Sequence, residues 1–507
     1  MAQQGGWISR GRVHQHLAAI VILAIAAVAT SCRGKPSPSA PPLSTDVLRV
    51  GVGQFAANNP LFGLRQLAQI LTIESLARAG LDGQMQPWLA EGITRGDHDL
   101  SVTISLRPTE KFQDGTPLDA AAIVALLPNA LKSFMGTLYS DIESIRATGP
   151  HALQIRFRQP SPLLLEALET QIRKPEMIGT GPFGVATDSS TELRANPDYH
   201  LGRPTIGRIT VANYPNVRAA WAEILRGNLD MLYEVSPDAL DSLKGSTSIA
   251  TFSFTRPYQY LVALNPDAPS LHSPEIRRAL SMAIDRAAVV RSALNGHGVA
   301  SSGPISPRYW AAGASMQKFE FDPKRAGETL MHAKGRERPS KLRFTCLVLP
   351  ESIYERLALE IKRQLGEVGV EMVLEAVTQE QLAERGARRD YEAALIELVS
   401  GPTILRLHLA WDSKGPINWG QFGNPTVDRA FDQIRQAPSE SAYRDAVAGL
   451  QRAFMDDPPA IFLAWSERAR AVSKRFIVPA AEPGRDILST LRLWKPTPDV
   501  RRQASRN

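Results

Sequence analysis

The chain has 507 residues, is 43% hydrophobic and 21% charged, and carries a formal net charge of +7. That length allows two or more cores, and the composition excludes a disordered or fibrous protein. The basic excess is mild and spread along the chain, which argues against nucleic acid as a partner.

The N-terminus reads as an export segment. Arg10 and Arg12 supply positive charge, no acidic residue occurs before Asp46, and Leu17 to Thr30 is an unbroken run of fourteen apolar or small residues. A spanning helix needs about 20 apolar residues, whereas this run has the length of a signal-peptide core. It ends in Ala29-Thr30-Ser31-Cys32, which resembles a bacterial lipobox except that Ala29 stands where the pattern prefers Leu. The expectation is a signal peptide over residues 1–31 and a diacylated Cys32 as the mature N-terminus. A plain signal peptide cut near Ser31, or a short anchor left in place, is the alternative. Loss of Arg10 and Arg12 leaves +5 on the mature chain. Residues 33–44 (RGKPSPSAPPLS) lack periodicity and read as a tether. With Cys32 lipidated, Cys346 has no internal disulfide partner; its strand-like surroundings predict a buried, inert thiol and no redox chemistry.

Val47 to Val52 alternates like an opening strand, and Gln66 to Ala79 has helical spacing with Gly80 placed to end it. Leu100 to Leu106 is a period-two strand, and Asp114-Gly115-Thr116-Pro117 is a turn. A short helix is predicted from Asp119 to Leu127, limited by Pro128, followed by a strand over Leu153 to Arg158. Ser273-Pro274-Glu275 opens a helix that runs through Ile276, Leu280, Ala283, Ala287 and Val290 towards Gly296. Within it, Asp285-Arg286 reads as a surface pair of little energetic value. Further helices are predicted after Asp322-Pro323 and from Ile353 to Leu365, and a strand from Val370 to Leu374. Strands interleaved with helices indicate an α/β architecture.

Chemical motifs are sparse. Gly179-Thr180-Gly181-Pro182-Phe183-Gly184 satisfies G-x-G-x-x-G in form, but Pro182 interrupts it and a hairpin rather than a helix follows, so it reads as a tight turn. No nucleotide, hydrolase, zinc-protease or Cys-x-x-Cys signature occurs. The histidines beyond residue 16 are scattered, and acidic pairs such as Asp456-Asp457 and Asp238 near Asp241 sit in turn or helix-start contexts. No catalytic residue, cofactor or protein-only metal site is expected; a metal held by a small chelator stays open.

Several segments then occur in one order. Glu74 to Gly83 with Pro87-Trp88-Leu89-Ala90-Glu91-Gly92 resembles "ESLxxxDxxGxxxPxLAE", and Leu106 to Leu118 resembles "LRxGvkFhDGtPlta". Gly179 to Phe183, Asn196-Pro197-Asp198-Tyr199 and Gly202-Arg203-Pro204 resemble "GTGPY…NpdYw.gkP", and Ile276 to Arg286 resembles "vRqAlxxAiDR". Together, from about Leu48 to Pro479, they resemble the peptide/nickel-binding family of ABC-transporter solute-binding proteins, family 5. The resemblance implies a two-lobed α/β periplasmic-binding-protein fold of the cluster C type, with an extra subdomain on lobe I. It places lobe I at 46–54, 172–264 and 476–500, the extra subdomain at 55–171, lobe II at 265–475, a lipid-anchored linker at 32–45 and a basic tail at 501–507.

The function so implied is non-enzymatic: capture of a small solute in the interlobe cleft of a monomeric, periplasmic, membrane-anchored lipoprotein, and delivery to an ABC importer permease. Peptide-binding members hold the ligand's ammonium with an Asp in a "GWxxDYxDP" stretch. Here that region is Glu397 to Leu405, and no carboxylate follows Ser400 until Asp412. A buried ammonium without a counter-charge is costly, so the expected ligand lacks a free α-amine; Asp412 as a displaced anchor for peptides is the alternative. Alignment to the family's positions gives candidate contacts at Phe55, Asn58, Asn59, Tyr258, Tyr260, Ser400, Gly401, Thr403, Trp411, Asp412 and Trp419. Two other readings compete. One is an exported hydrolase, which the missing nucleophile motifs disfavour; the other is a sensing module without a transporter.

Overall fold

A computed structural model describes residues 46–53, 62–160, 162–235, 240, 242–243, 245–313, 316–333 and 342–498. The signal peptide, Cys32, the tether, Phe55, Asn58, Asn59, Asp238, Asp241 and the basic tail lie outside the described residues. The fold is α/β and two-lobed, organised on one sheet that runs through both lobes. Its order is Phe183–Val185, Glu192–Ala195, Arg208–Tyr214, Val47–Gly53, Met231–Val235, Ala460–Ser473, Ile249–Leu264, Ala393–Val399, Leu342–Val348 and Val370–Ala376, with Gly298–Ala300 added to Ala460–Ser473.

Two long antiparallel strands, Ile249–Leu264 and Ala460–Ser473, join the lobes. Their register holds from Ile249↔Ser473 to Thr255↔Glu467, then slips before Gln259↔Trp465. Pro257 lies inside the slip. It has no N–H for the ladder, and a proline inside a sheet is confined to an edge or an irregularity. The pairing therefore opens midway between the lobes, and Arg256, Pro257 and Tyr258 are turned to the space between them.

Leu48, Val50, Leu67, Ile209, Met231 and Trp494 share one core, so the helix Phe62–Leu71 packs on the strand Val47–Gly53. Lobe II buries Leu261, Phe344, Cys346, Leu395, Phe431 and Phe462. The extra subdomain is an antiparallel sheet in the order Ala90–Gly96, Ser101–Leu106, Ala152–Phe157, Ile142–Gly149, covered by the helix Ala120–Met135. Its buried residues are continuous with those of lobe II. The join is polar at its centre. Fully buried Glu166 accepts hydrogen bonds from the Leu405 backbone (2.7 Å), Tyr309 (3.2 Å) and Tyr443 (3.5 Å).

Four expectations need correction. The helix expected from Gln66 to Ala79 is Phe62–Leu71; beyond it Glu74–Ser75 and Ala77–Ala79 are strands that pair with Gln171–Ile172 and Met85–Pro87. Tertiary pairing there outweighs local spacing. Pro128 does not end its helix, which runs on to Met135 with Ile123, Leu127, Leu131 and Met135 all buried on one face. The single helix over 276–290 is two, Pro274–Met282 and Arg286–Ala293, because Asp285 caps the second by accepting from Ala288 N. Arg286 is accordingly not a surface residue. It is 7% exposed and donates to the carbonyls of Ser281, Ile284, Ser301 and Phe462, and burial pushes its pKa down to about 10.

The glycine-rich turn has a packing cause. A Cβ on Gly179 would sit 2.1 Å from the Thr72 carbonyl oxygen, and one on Gly181 would sit 2.3 Å from that of Leu71. The Gln113 side chain donates to Gly181 O (3.0 Å) and Phe183 O (2.8 Å), so the Asp114-Gly115 turn braces this loop. Both segments serve architecture and lie outside the cavity described next.

Candidate functional site

A cavity of about 1190 Å³ opens where the crossing strands lose register. Lobe I contributes Val52, Gly53 and Tyr233; lobe II contributes Leu349 to Tyr354 and Thr378 to Glu380, and the crossing strands add Phe254 to Tyr258, Trp465 and Arg468. Six arginines and six carboxylates line it, so its charge is formally balanced. Its volume exceeds the 300–1,000 Å³ typical of drug-sized ligand sites.

The charges are organised by arginines on Ala460–Ser473. Arg468, 8% exposed, places Nε 2.9 Å from Glu234 and Nη2 3.0 Å from Glu397, and Nη1 donates to the Tyr260 hydroxyl at 2.5 Å. Burial opposes its charge, but Glu397, Tyr260 and Glu234 outweigh that and hold its pKa above the ordinary value. Two residues along, on the same face of the strand, Arg470 is held by Asp486 through Nε at 2.6 Å and a second contact from Nη2, and lies over the Tyr233 ring. Arg256 sits 4.1 Å above the Tyr258 ring and 3.7 Å from Glu397. Buried charges need such partners, and these fix the cavity wall before any ligand enters.

Among the expected contacts, Tyr258 lines the cavity. Tyr260 is fully buried behind the wall, where its hydroxyl meets Arg468. Ser400 and Thr403 are each 1% exposed; the Ser400 amide donates to Pro257 O at 3.0 Å, and a Cβ on Gly401 would touch the Trp465 ring at 3.0 Å. That loop therefore backs the crossing strand, and its cavity-lining member is Pro402. Trp411 packs edge-on against Phe422, Phe454 and Phe462 in the core of lobe II. Asp412 faces His408 at 3.7 Å and accepts from Lys414 N. Trp419 packs on Tyr391 and Gly386. Trp411, Asp412 and Trp419 are not in the cavity lining.

Sequence reasoning passed over Glu234, Arg256, Glu351, Glu397, Arg468 and Arg470. A signal was present: Arg468 and Arg470 alternate with Ala469 and Ala471 in a strand that opens on the apolar run Ala460 to Trp465. Charge in such a strand calls for a buried partner or a cavity. Among the described residues, no group of three or more His, Cys, Asp or Glu side chains is placed to hold a metal ion.

Residues 84–403 match the family described as bacterial extracellular solute-binding proteins, family 5. The oligopeptide-binding protein AppA of Bacillus subtilis is 22% identical over 452 residues, which cover 80% of this chain and 83% of that protein. Among solved structures, NikZ from Campylobacter jejuni in complex with Ni(L-His) superposes with a TM-score of 0.75 at 19% identity, over 89% of this chain and 100% of that one. The binding protein AgaA from Agrobacterium tumefaciens R10, in complex with agropinic acid, gives 0.72 at 18% identity, over 89% and 99%.

Proposed function

We propose that this chain, which belongs to family 5 of the bacterial extracellular solute-binding proteins, takes up a small solute between its lobes and presents it to an ABC importer. The observation that carries the reading is the 1190 Å³ cavity placed at the register slip of the two strands that join the lobes. A ligand touching both walls favours the closed form over the open one. Moving such an equilibrium from about 1:99 to 99:1 takes roughly 5.5 kcal/mol of differential contact. Aromatic faces such as Tyr258 and Tyr354, with prearranged charges, are the means to supply it.

The anchoring loop supports a ligand other than a peptide held by its α-amine. Ser400 to Thr403 offers no carboxylate, its two hydroxyl residues are buried, and Asp412 is turned to His408. The lobe boundaries given above belong to the same proposal. So do a Cys32 lipid anchor and a monomer in the periplasm. Peptides of two to five residues are expected to give no thermal stabilisation of the purified protein, while the small molecule that co-purifies with it is identified by native mass spectrometry. Micromolar peptide binding in calorimetry would overturn the ligand reading; absence of any small-molecule binding would overturn the function.

A further inference from the structure

Three carboxylates share one wall of the cavity with the Arg468 guanidinium, two of them in contact with it. Glu234 comes from Met231–Val235 in lobe I, Glu397 from Ala393–Val399 in lobe II, and Glu351 from the turn that opens the helix Ser352–Glu367. Arg468 is committed to Glu234 and Glu397, and Arg256 leans on Glu397. Glu351 occupies the N-cap position of its helix, yet its side chain caps nothing. Among the described residues its carboxylate has no hydrogen-bond or ion-pair partner, although its backbone N–H and C=O are both bonded. The cavity as a whole balances its charges, but on this wall Arg468 and Arg256 are engaged by Glu234 and Glu397, and Glu351 is left without a contact of its own.

The surroundings of Glu351 are those of a half-made ion pair. Burial raises its pKa, Glu397 and Glu234 raise it further, and Arg468 is the cation that opposes them. The Tyr354 ring, 8% exposed, stands beside it in the lining and packs edge-on against Tyr260. An aromatic face next to a carboxylate is a good seat for an organic cation. Polar groups drawn out of water are normally paired, so the half-buried Glu351 carboxylate leaves an interaction for an occupant to complete.

Resting on the solute-capture reading, we infer that the captured solute carries a guanidinium, or an ammonium other than a peptide's α-amine, and that Glu351 is the specificity-determining residue that accepts it. A desolvated charge pair of this kind is lost at a cost of about 30-fold or more in affinity when one partner is neutralised. The test uses the fraction of a bacterial extract below 1 kDa, loaded at pH 3 on a sulfonate exchanger so that every amine and guanidine is retained. Retained and unretained pools are then titrated at pH 7 against the full-length protein and Glu351→Gln, with melting temperature as readout. The retained pool is expected to stabilise the parent protein and to require about 30-fold more material with E351Q. E351Q without additive should melt no lower than the parent, because burial and repulsion from Glu397 and Glu234 outweigh the attraction of Arg468 for the replaced carboxylate. Stabilisation by the unretained pool, or equal stabilisation of E351Q by the retained one, overturns the inference and leaves solute capture standing. Stabilisation by neither pool counts against solute capture itself, and the inference falls with it.

Discussion

Glu166 illustrates what a single residue does when the fold, rather than its neighbours in sequence, sets its chemistry. It is fully buried where the extra subdomain meets lobe II, and burial pushes its pKa up to about 7 despite hydrogen bonds from Leu405 and Tyr309. Glu169, which is paired with Arg406, raises it slightly, and Tyr443 completes the surroundings. A carboxyl whose folded pKa exceeds its unfolded value near 4.3 binds more protons when folded, so stability falls as pH rises through that window. The parent protein should therefore lose on the order of 3 kcal/mol relative to Glu166→Gln between pH 4.5 and pH 8. Urea denaturation of both across that range checks it, and parallel curves would show that Glu166 does not titrate there. Nothing around Leu164-Leu165-Glu166-Ala167 announces this, because the partners Tyr309, Leu405 and Tyr443 lie 140 or more residues away. The same holds for Glu351: its sequence neighbours predict a helix start, and only the approach of Glu397 and Glu234 makes it a candidate for a ligand.

At the scale of elements, most strands and helices were legible, and the failures share a cause. Period-two runs such as Leu100 to Leu106 and capped helices such as Pro274–Met282 carry their own geometry in the order of their residues. Pro128 misled because its local penalty is outweighed by four buried side chains on the same helix face. An interior proline costs about 3 kcal/mol, whereas each large side chain taken out of water contributes roughly 1.5–3 kcal/mol. Pro128→Ala should thus raise stability by about 1–3 kcal/mol in urea denaturation. A loss instead would mean that the proline ring is needed for packing. The stretch 74–79 misled in the opposite direction: its helical spacing was real, but Gln171–Ile172 and Met85–Pro87 offered strand partners. A one-dimensional pattern does not contain the position of those partners.

On the scale of the whole molecule, the working part is the joint between lobes. Two strands cross it, their ladder is interrupted around Pro257, and the cavity lies at that interruption. A saturating small-molecule fraction should lower the radius of gyration in solution scattering, towards about 23 Å for a compact body of this size. Identical scattering with and without it would argue against closure. The α/β class and the two-lobed family architecture were readable in the chain itself. They depend on composition, short-range periodicity and segments of contiguous residues, and these survive in one dimension. The identity of the cavity wall was not readable. It assembles Glu234, Glu351, Glu397 and Arg468 from positions spread over more than 230 residues, and their pairing depends on which strands lie side by side. It was this long-range register that put Ser400, Thr403 and Trp411 behind the wall and Glu351 in front of it, because a sheet brings residues together by order in space, not by order along the chain.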